Sequence, residues 1–272
     1  MEKIAGYMNK DVLVEREGRL IVVTLNRPEH GNALTGPPHD EFVLAIEKVA
    51  RETDVRCVII TGAGNYFLSR LDNIYEAIKA GIESPNRLKD SYRIATYARQ
   101  LVEALLSVEA PIVAAINGDA IGLGSTIALT CDIQVMDERA KIGDKHLRYG
   151  VVAGDGGQIL YPLLIGPNRA KDFLIRGLLV DGKEAERIGL VNYVTPPGQA
   201  FAKAREIAED IMTKPPLAVK WTKAAVNQQI QMLFALNLRL GLATEVLTFL
   251  SDDHVEAVTS ILDQRDPDFS GT

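Results

Sequence analysis

The stretch PIVAAINGDAIGLGST, at positions 111–126, decides the fold. Its apolar start predicts a buried strand, and the small residues that follow allow a sharp turn into a helix. The first N–H groups of a helix have no partner within it, so this turn is suited to bind a negatively charged oxygen. The stretch lacks the third glycine of a dinucleotide-binding turn, because Ile127 stands at that position.

Outward from this stretch, short apolar strands alternate with amphipathic helices, which predicts an α/β fold. The later part of the chain reads as helical, so we predict a core at 1–197 and a helical C-terminal region at 198–272. The apolar helix at 231–250 could be buried within the chain or against a partner subunit. The predicted strands lie at 12–17, 20–26, 55–62, 111–116, 131–136 and 190–194, and the predicted helices near 38–52 and 87–108.

Composition limits the class of function. The 272 residues are 47% hydrophobic and 24% charged, as in globular proteins, and the net charge of −6 predicts no binding to nucleic acid or anionic membranes. Cys57 and Cys131 lie in apolar runs without metal-ligand spacing, so we expect buried thiols and no metal site. No segment reads as a leader or as a membrane span of about 20 residues, which predicts a cytoplasmic protein.

Two further segments could contribute chemistry. The turn TGAGNYFLSRLD at 61–72 also follows a strand, and two neighbouring strand exits could aim one N–H each at the same oxygen. His146 and Asp155 are joined by a glycine-rich turn and could converge on one site, with the carboxylate orienting the imidazole for acid–base work. The alternative is a loop histidine and an aspartate that caps a helix.

Taken together, these segments resemble the crotonase (enoyl-CoA hydratase/isomerase) superfamily over nearly the whole chain. The segments that carry the resemblance are LNRPE with NAL at 25–34, VIITGAG at 58–64, 111–124, 128–133, GVVAGDGG at 150–157, 166–170 and EA with IGLVN at 184–192. The resemblance implies a spiral of ββα units and a helical C-terminal region that mediates assembly into a homotrimer or a dimer of trimers. It also implies an acyl-CoA thioester substrate, so that coenzyme A enters with the substrate and no separate cofactor is needed.

The resemblance further implies an oxyanion hole made by two backbone N–H groups, which map onto Ser69 and Leu123. Gly122 and Gly124 flank the second donor as expected substrate contacts. Arg27 and Arg70 could approach the phosphates of coenzyme A, although solvation at the surface is an alternative for each.

The chain departs from the hydratases of this family at both catalytic positions. Thr126 and His146 stand where those enzymes carry two glutamates. A threonine does not exchange protons near neutral pH, so hydration by two carboxylates is disfavoured. His146, Asp155 and Glu245, together with His39, instead resemble the catalytic residues of crotonase-like β-diketone hydrolases of the 6-oxocamphor hydrolase type. Those hydrolases carry a further histidine where this chain has Leu123.

Three hypotheses follow from these residues. The first is an acyl-CoA enzyme of lyase or isomerase type, in which His146 moves protons and Asp155 orients it. The second is a hydrolase that cleaves a C–C bond of a β-diketone without coenzyme A, with His39 and Glu245 assisting. The third is a catalytically silent scaffold protein, which the loss of both glutamates would allow.

Overall fold

A computed structural model describes residues 2–8, 10–69 and 74–272, with the backbone alone for 2–8 and 74–78. Its larger sheet has seven strands in the order β1-β2-β3-β4-β6-β8-β11. From β3 onward the neighbouring strands of this sheet are parallel, whereas β1, β2 and β3 pair antiparallel. The strands are β1 (Glu2–Met8), β2 (Val12–Glu17), β3 (Leu20–Leu25), β4 (Cys57–Gly62), β6 (Ile112–Ile116), β8 (Ile133–Asp137) and β11 (Tyr193–Thr195).

A smaller sheet lies beside it, with the strand order β10-β9-β7-β5. Its strands are three residues each: β5 (Tyr66–Leu68), β7 (Asp119–Ile121), β9 (Lys141–Gly143) and β10 (Leu179–Asp181). Each of β4, β6 and β8 continues into a strand of the smaller sheet and then into helix, so the chain winds as a spiral of ββα units. This winding places the exits of β5 and β7 side by side.

Helices cover both faces of the larger sheet. They are α1 (Pro37–Ala50), α2 (Ile74–Glu83), α3 (Arg87–Ser107), α4 (Leu123–Thr130), α5 (Gly157–Ile165), α6 (Pro167–Arg176), α7 (Gly182–Arg187), α8 (Ala200–Met212), α9 (Pro216–Leu250) and α10 (Asp252–Leu262). Alternate residues of a strand face opposite sides. In β3, Leu20 and Val22 pack with Ala204 of α8, whereas Ile21 and Val23 join the main core. Burial on both sides explains why these strands read as continuous apolar runs.

The predicted strands and helices are found close to their expected bounds. From Ala200 to Leu262 the structure is helical, as expected. However, α8 packs against strands of the larger sheet, which belong to the first 197 residues. The proposed division at 197 therefore stays a prediction. The strand β1, the helix α2 and the four short strands of the smaller sheet were not predicted.

Helix α9 is 35 residues long and is, among the described residues, the one helix long and apolar enough to cross a membrane. The sequence-based expectation that no segment reaches this length is therefore wrong. Length and composition alone are weak grounds for a membrane span, and α9 also packs against α3 and α5. Only 28% of its most apolar 18-residue window is buried. Along the whole helix, the exposed apolar side chains include Trp221, Leu236 and Leu240.

Candidate active site

The two predicted strand exits meet because β5 and β7 pair in parallel, with Leu68 opposite Ala120. Glycine makes the close approach possible. A Cβ atom added to Gly124 would lie 2.1 Å from the carbonyl oxygen of Leu68, and one added to Gly118 would lie 1.9 Å from that of Asn65. Both distances are far below van der Waals contact, so only glycine fits. Gly124 thus serves packing, and its contact with substrate stays a prediction.

We predict that Gly124→Ala destabilises the fold by about 3 kcal/mol, the upper end for overpacking, because the obstructing atom belongs to the backbone. The measurement is the free energy of unfolding in urea. Gly81→Ala is the matched control, since Gly81 lies in a helix and a Cβ there meets nothing within 4 Å. We expect that change to stabilise the protein by about 0.5–1 kcal/mol. Equal stabilities of the two variants would contradict the packing argument.

The amide of Leu123 is available to a ligand. Gly122 takes a left-handed φ of 59° just before α4, and its own N–H donates to the carbonyl of Gly143 at 3.0 Å. Leu123 is the first residue of α4, where N–H groups lack helical partners, and no described residue accepts a hydrogen bond from it. The backbone N–H of Leu123, which the sequence predicted as a donor to the substrate, therefore has no acceptor among the described residues.

Ser69 differs from the prediction. Its N–H donates to the carbonyl oxygen of Gly31 at 2.9 Å, so this amide is already used within the fold. The cause is the turn at Gly31 and Asn32, which both have positive φ. The side chain of Asn32 fixes this turn by donating to the carbonyl oxygens of Ala63 at 3.0 Å and Tyr66 at 2.7 Å. An oxyanion hole with two free amides is therefore not formed here, and the Leu123 amide is the open one.

His146 lies beside this open amide. A methyl group added at Gly122 would lie 3.6 Å from Cε1 of the imidazole, and the side chain is 19% exposed. Nδ1 of His146 contacts both carboxylate oxygens of Asp144, at 2.8 and 2.9 Å, and the backbone N–H of His146 donates to the same carboxylate at 2.8 Å. Asp144 therefore orients the imidazole, and the prediction that Asp155 does so is wrong.

Two other carboxyl groups face the opposite nitrogen. Oδ2 of Asp155 and Oε1 of Glu245 each lie 4.0 Å from Nε2 of His146, beyond hydrogen-bond distance but close enough to enclose a small group or water. Oε2 of the buried Glu245 has no described hydrogen-bond partner. The structure thus brings together His146, Asp155 and Glu245, as predicted.

Thr126, at the first hydratase glutamate position, holds Asp155 in place. Its hydroxyl donates to Oδ1 of Asp155 at 3.2 Å, and both side chains are buried. The amide of Gly157, the first residue of α5, also donates a hydrogen bond to this carboxylate. This contact resembles the helix-capping alternative that was considered from the sequence. Thr126 cannot move protons, but it fixes a carboxylate that faces the imidazole.

Charge interactions shift the titration of this cluster. Burial lowers the pKa of His146, but the carboxylates, Asp144 foremost, raise it well above 6.5. Burial would raise the pKa of Asp144, yet the charge and hydrogen bonds of His146 hold it below its ordinary value. Burial raises the pKa of Asp155, and raises that of Glu245 to about 8. Near neutral pH the cluster therefore holds an imidazolium on ionised Asp144, with Glu245 protonated.

These shifts predict how stability depends on pH. The folded protein retains a proton on Glu245 up to about pH 8, whereas the unfolded chain releases it near 4.5. Because the folded state binds more protons in this range, the free energy of unfolding falls as pH rises. His146 acts in the same direction, since its raised pKa gives stability that is lost above 6.5. We expect the Tm to fall between pH 5 and 8, roughly the window that linkage gives.

Glu245→Gln should make this dependence shallower, since the amide does not titrate. Glu256→Gln is the control, because the hydrogen bonds that Glu256 accepts from Arg265 lower the pKa of its carboxyl group to about 2. A carboxyl group with this pKa does not contribute to the pH dependence of stability above pH 5. An unchanged slope in Glu245→Gln would contradict the protonation assigned here.

The cluster opens into a cavity of about 1220 Å³. Ser69, Gly122 and Leu123 line it together with the three catalytic candidates. His39 also lines it, but its Nε2 donates to the carbonyl of Tyr97 at 2.9 Å and its ring stacks on that of Tyr97 at 4.5 Å. His39 is thus a wall of the cavity, and its predicted catalytic role stays a prediction.

The two arginines that were predicted to contact the substrate are Arg27 and Arg70. Arg27 does not line the cavity: its Nη1 donates to the carbonyl of Ala33 at 2.8 Å, and its Nε lies 3.8 Å from Asp11. The structure therefore gives Arg27 a role within the fold. Arg70 lies outside the described residues.

Sequence reasoning missed the roles of Asp144 and Thr126. For Asp144 a signal was present, since an aspartate two residues before a histidine can accept from that histidine's amide and so hold its ring. Donor atoms of Asp144, His146 and Asp155 lie within 4.8 Å of one another, a spacing that could hold a metal ion. A metal on Nδ1 would have to displace the proton shared with Asp144. The expectation of no metal stays a prediction.

Comparison with known proteins identifies the family. The enoyl-CoA hydratase/isomerase family model matches residues 15–272. The chain is 33% identical to the enoyl-CoA hydratase EchA19 of Mycobacterium tuberculosis, over 95% of this chain and 96% of that protein. The structure of an enoyl-CoA hydratase/isomerase from Mycobacterium paratuberculosis matches with a TM-score of 0.84 and 28% identity, over 93% of this chain and 99% of that one.

A further match is ABDH, a β-diketone hydrolase from the cyanobacterium Anabaena, with a TM-score of 0.79 and 26% identity over 90% of this chain and 97% of that one. The predicted family and the predicted crotonase-like α/β fold are confirmed. The family acts on acyl-CoA substrates, with enoyl-CoA hydratase/isomerase-like function. The chain belongs to the enoyl-CoA hydratase/isomerase family of the crotonase superfamily.

Proposed function

We propose that this protein binds an acyl-CoA thioester with its carbonyl oxygen at the Leu123 amide, and that His146 moves protons at the neighbouring carbon. The observation that carries the proposal is the position of the imidazole beside the open N-terminus of α4. Negative charge that develops on the oxygen would be stabilised by the amide and by the helix terminus. The names of the relatives, which are enoyl-CoA hydratases, support the substrate class.

The proton moves through Nε2 of His146. Nδ1 is bound to Asp144, so the tautomer and the orientation of the ring are fixed. Because its raised pKa keeps His146 mostly protonated near neutral pH, the neutral fraction of the imidazole is the base. It removes a proton from the carbon next to the thioester, which leaves an enolate, and the resulting imidazolium can return the proton to an enolate carbon. Asp155 and Glu245 supply charge and protons around Nε2 in place of the second glutamate of the hydratases. This supports isomerase- or lyase-type chemistry over hydration by two carboxylates.

The test is turnover of short enoyl-CoA and acyl-CoA esters, measured with calorimetric binding of coenzyme A. We expect binding and either double-bond movement or exchange of the α-proton with solvent deuterium. A purified, folded protein that neither turns over nor binds any coenzyme A ester would exclude the proposal. Turnover of any of these substrates would exclude a catalytically silent scaffold.

A second candidate is hydrolysis of a C–C bond in a β-diketone. The observation that favours it is the enclosed space where Nε2 of His146 faces Asp155 and Glu245, each at 4.0 Å, which suits an attacking water. The neutral fraction of His146 would accept a proton as water adds to one carbonyl. The C–C bond would then break to give a carboxylic acid and an enolate, which the imidazolium protonates. Cleavage of cyclic diketones at a rate unaffected by coenzyme A would establish this function, and its absence over a panel would exclude it.

Assembly as a homotrimer or a dimer of trimers is also proposed. Its support is the exposed apolar side of α9, including Trp221, Leu236 and Leu240. Light scattering after size exclusion should give three or six copies of the 29.7 kDa chain. A mass of one chain at micromolar concentration would contradict it. A cytoplasmic location and the lack of a separate cofactor remain part of the proposal.

A further inference from the structure

The peptide unit that carries the Leu123 amide is held at its carbonyl by two donors. This carbonyl oxygen, on Gly122, accepts from the backbone N–H of Thr126 at 3.0 Å and from the hydroxyl of Ser125 at 2.9 Å. The first bond belongs to the ordinary backbone ladder of α4, whereas the second comes from a side chain. Because a peptide unit is planar, a contact that fixes its C=O also fixes the direction of its N–H. Ser125 therefore helps to set where the Leu123 amide points.

The hydroxyl of Ser125 is in turn held by Tyr161 of α5. The phenol donates to Oγ of Ser125 at 3.3 Å, and both side chains are fully buried. A serine hydroxyl has one proton, and Gly122 receives it, so Oγ is the acceptor for the phenol. Burial raises the pKa of Tyr161 above its ordinary value, so the phenol remains a donor near neutral pH. Neither side chain is among the described walls of the cavity.

These hydrogen bonds run in one direction, from the phenol of Tyr161 through Ser125 to the carbonyl of Gly122. Hydrogen bonds in such a series polarise one another, by about 10–30% per bond. A carbonyl that accepts two hydrogen bonds withdraws electron density from its peptide nitrogen, which makes the N–H on that nitrogen a stronger donor. The series therefore acts on the strength of the open Leu123 amide as well as on its direction.

A bond from a serine hydroxyl to a carbonyl in the preceding turn is common within helices and shows no function by itself. Ser260 of α10 is also buried and makes the same bond, to the carbonyl of Ala257 at 2.9 Å. That carbonyl belongs to a peptide unit inside α10, where the N–H takes part in the helix. The carbonyl that Ser125 contacts precedes an open amide at the cavity, so Ser260 is the matched comparison.

We propose that Ser125 and Tyr161 are positioning residues, which orient the Leu123 amide and strengthen it as a donor to the substrate oxygen. Their effect on catalysis rests on the proposed function, because it requires the substrate oxygen at this amide. Negative charge on that oxygen develops mainly in the transition state, so both residues should act on kcat more than on KM. Their effect on the amide itself depends only on the hydrogen bonds that join Tyr161, Ser125 and Gly122.

The amide is observed by NMR on the full chain without substrate, with glycine labelled by ¹³C at the carbonyl and leucine labelled by ¹⁵N. Four Gly–Leu peptide units then give signals, at 122–123, 177–178, 189–190 and 241–242. We expect Ser125→Ala to move the ¹⁵N resonance of Leu123 to lower frequency, because the preceding carbonyl loses a donor. Tyr161→Phe, which leaves the serine in place, should cause a smaller shift in the same direction. The other three units should move far less, and Ser260→Ala should leave Leu123 at its wild-type position.

Steady-state kinetics gives the second readout. We expect kcat to fall by up to about tenfold in Ser125→Ala, less than the 10²- to 10³-fold loss that follows removal of an oxyanion-hole donor. The KM and the pH limb set by His146 should stay in place. Tyr161→Phe should lower kcat less, and it should have no further effect in the Ser125→Ala background, because it acts through that hydroxyl. Ser125→Cys, which keeps a weak donor, should give an intermediate kcat.

A Leu123 resonance that keeps its wild-type position in Ser125→Ala or in Tyr161→Phe would overturn the positioning role. So would an effect of Tyr161→Phe on kcat that persists in the Ser125→Ala background, or a Ser260→Ala variant that loses as much kcat as Ser125→Ala. A shifted Leu123 resonance in a protein that turns over no acyl-CoA or diketone substrate would support the effect on the amide and count against the proposed function alone.

Discussion

Replacing His146 by alanine is expected to lower kcat by about 10²- to 10⁴-fold, the contribution typical of a general acid–base residue. The change removes the group that faces the reacting carbon, whereas the Leu123 amide stays in place. We therefore expect KM to change far less than kcat. The measurement is steady-state kinetics on whichever acyl-CoA or diketone substrate the wild type turns over.

His30→Ala is the matched control, because His30 is an exposed histidine near Glu29, away from the cavity. Circular dichroism should first show that the His146 variant is folded, since removing the imidazolium leaves Asp144, Asp155 and Glu245 without their cation. Partial recovery of activity with added imidazole would support loss of chemistry rather than of fold. Wild-type turnover by folded His146→Ala would refute both proposed mechanisms.

The second large effect is expected for Asp144→Asn, with a fall in kcat of up to about 10⁴-fold, the value known for the comparable change in a Ser-His-Asp triad. An asparagine has the same shape but lacks the charge that fixes the tautomer of His146. Because Asp144 raises the pKa of His146, its loss should also move the corresponding limb of the pH–rate profile to lower pH. This displacement distinguishes a positioning role from a merely structural one.

Asp137→Asn provides the comparison. Asp137 is also buried and also accepts backbone hydrogen bonds, from Arg139 at 2.9 Å and Gly198 at 2.7 Å, but it is not a wall of the cavity. We expect this change to lower stability and to leave the pH–rate profile in place. If Asp144→Asn behaves in the same way, with no displacement of the limb, then Asp144 does not set the protonation of His146.

Strands could be predicted from the sequence where their apolar runs were long, and could not where the runs were short. The strands β2, β3 and β4 were predictable because each carries about six residues of strong apolar character between turn residues. The strands of the smaller sheet are three residues long, too short to show an alternation. Their existence depends on pairing between segments far apart in the chain, such as Leu68 with Ala120.

The site shows the same limit. The resemblance grouped His146, Asp155 and Glu245, and the structure places one carboxyl oxygen of Asp155 and one of Glu245 each 4.0 Å from Nε2 of His146. The resemblance did not show which carboxylate holds the imidazole, because that depends on the direction of the side chains within the turn 144–146. Nor could it show that the Ser69 amide is occupied, since the acceptor on Gly31 is positioned by two residues with positive φ.

The most direct test is a crystal structure of the protein with an unreactive acyl-CoA thioether that keeps the carbonyl group. We expect the carbonyl oxygen to lie within about 3 Å of the Leu123 nitrogen, with Nε2 of His146 within about 3.5 Å of the adjacent carbon. A ligand carbonyl bound away from the start of α4, or an imidazole turned away from the ligand, would contradict the assignment of the chemistry.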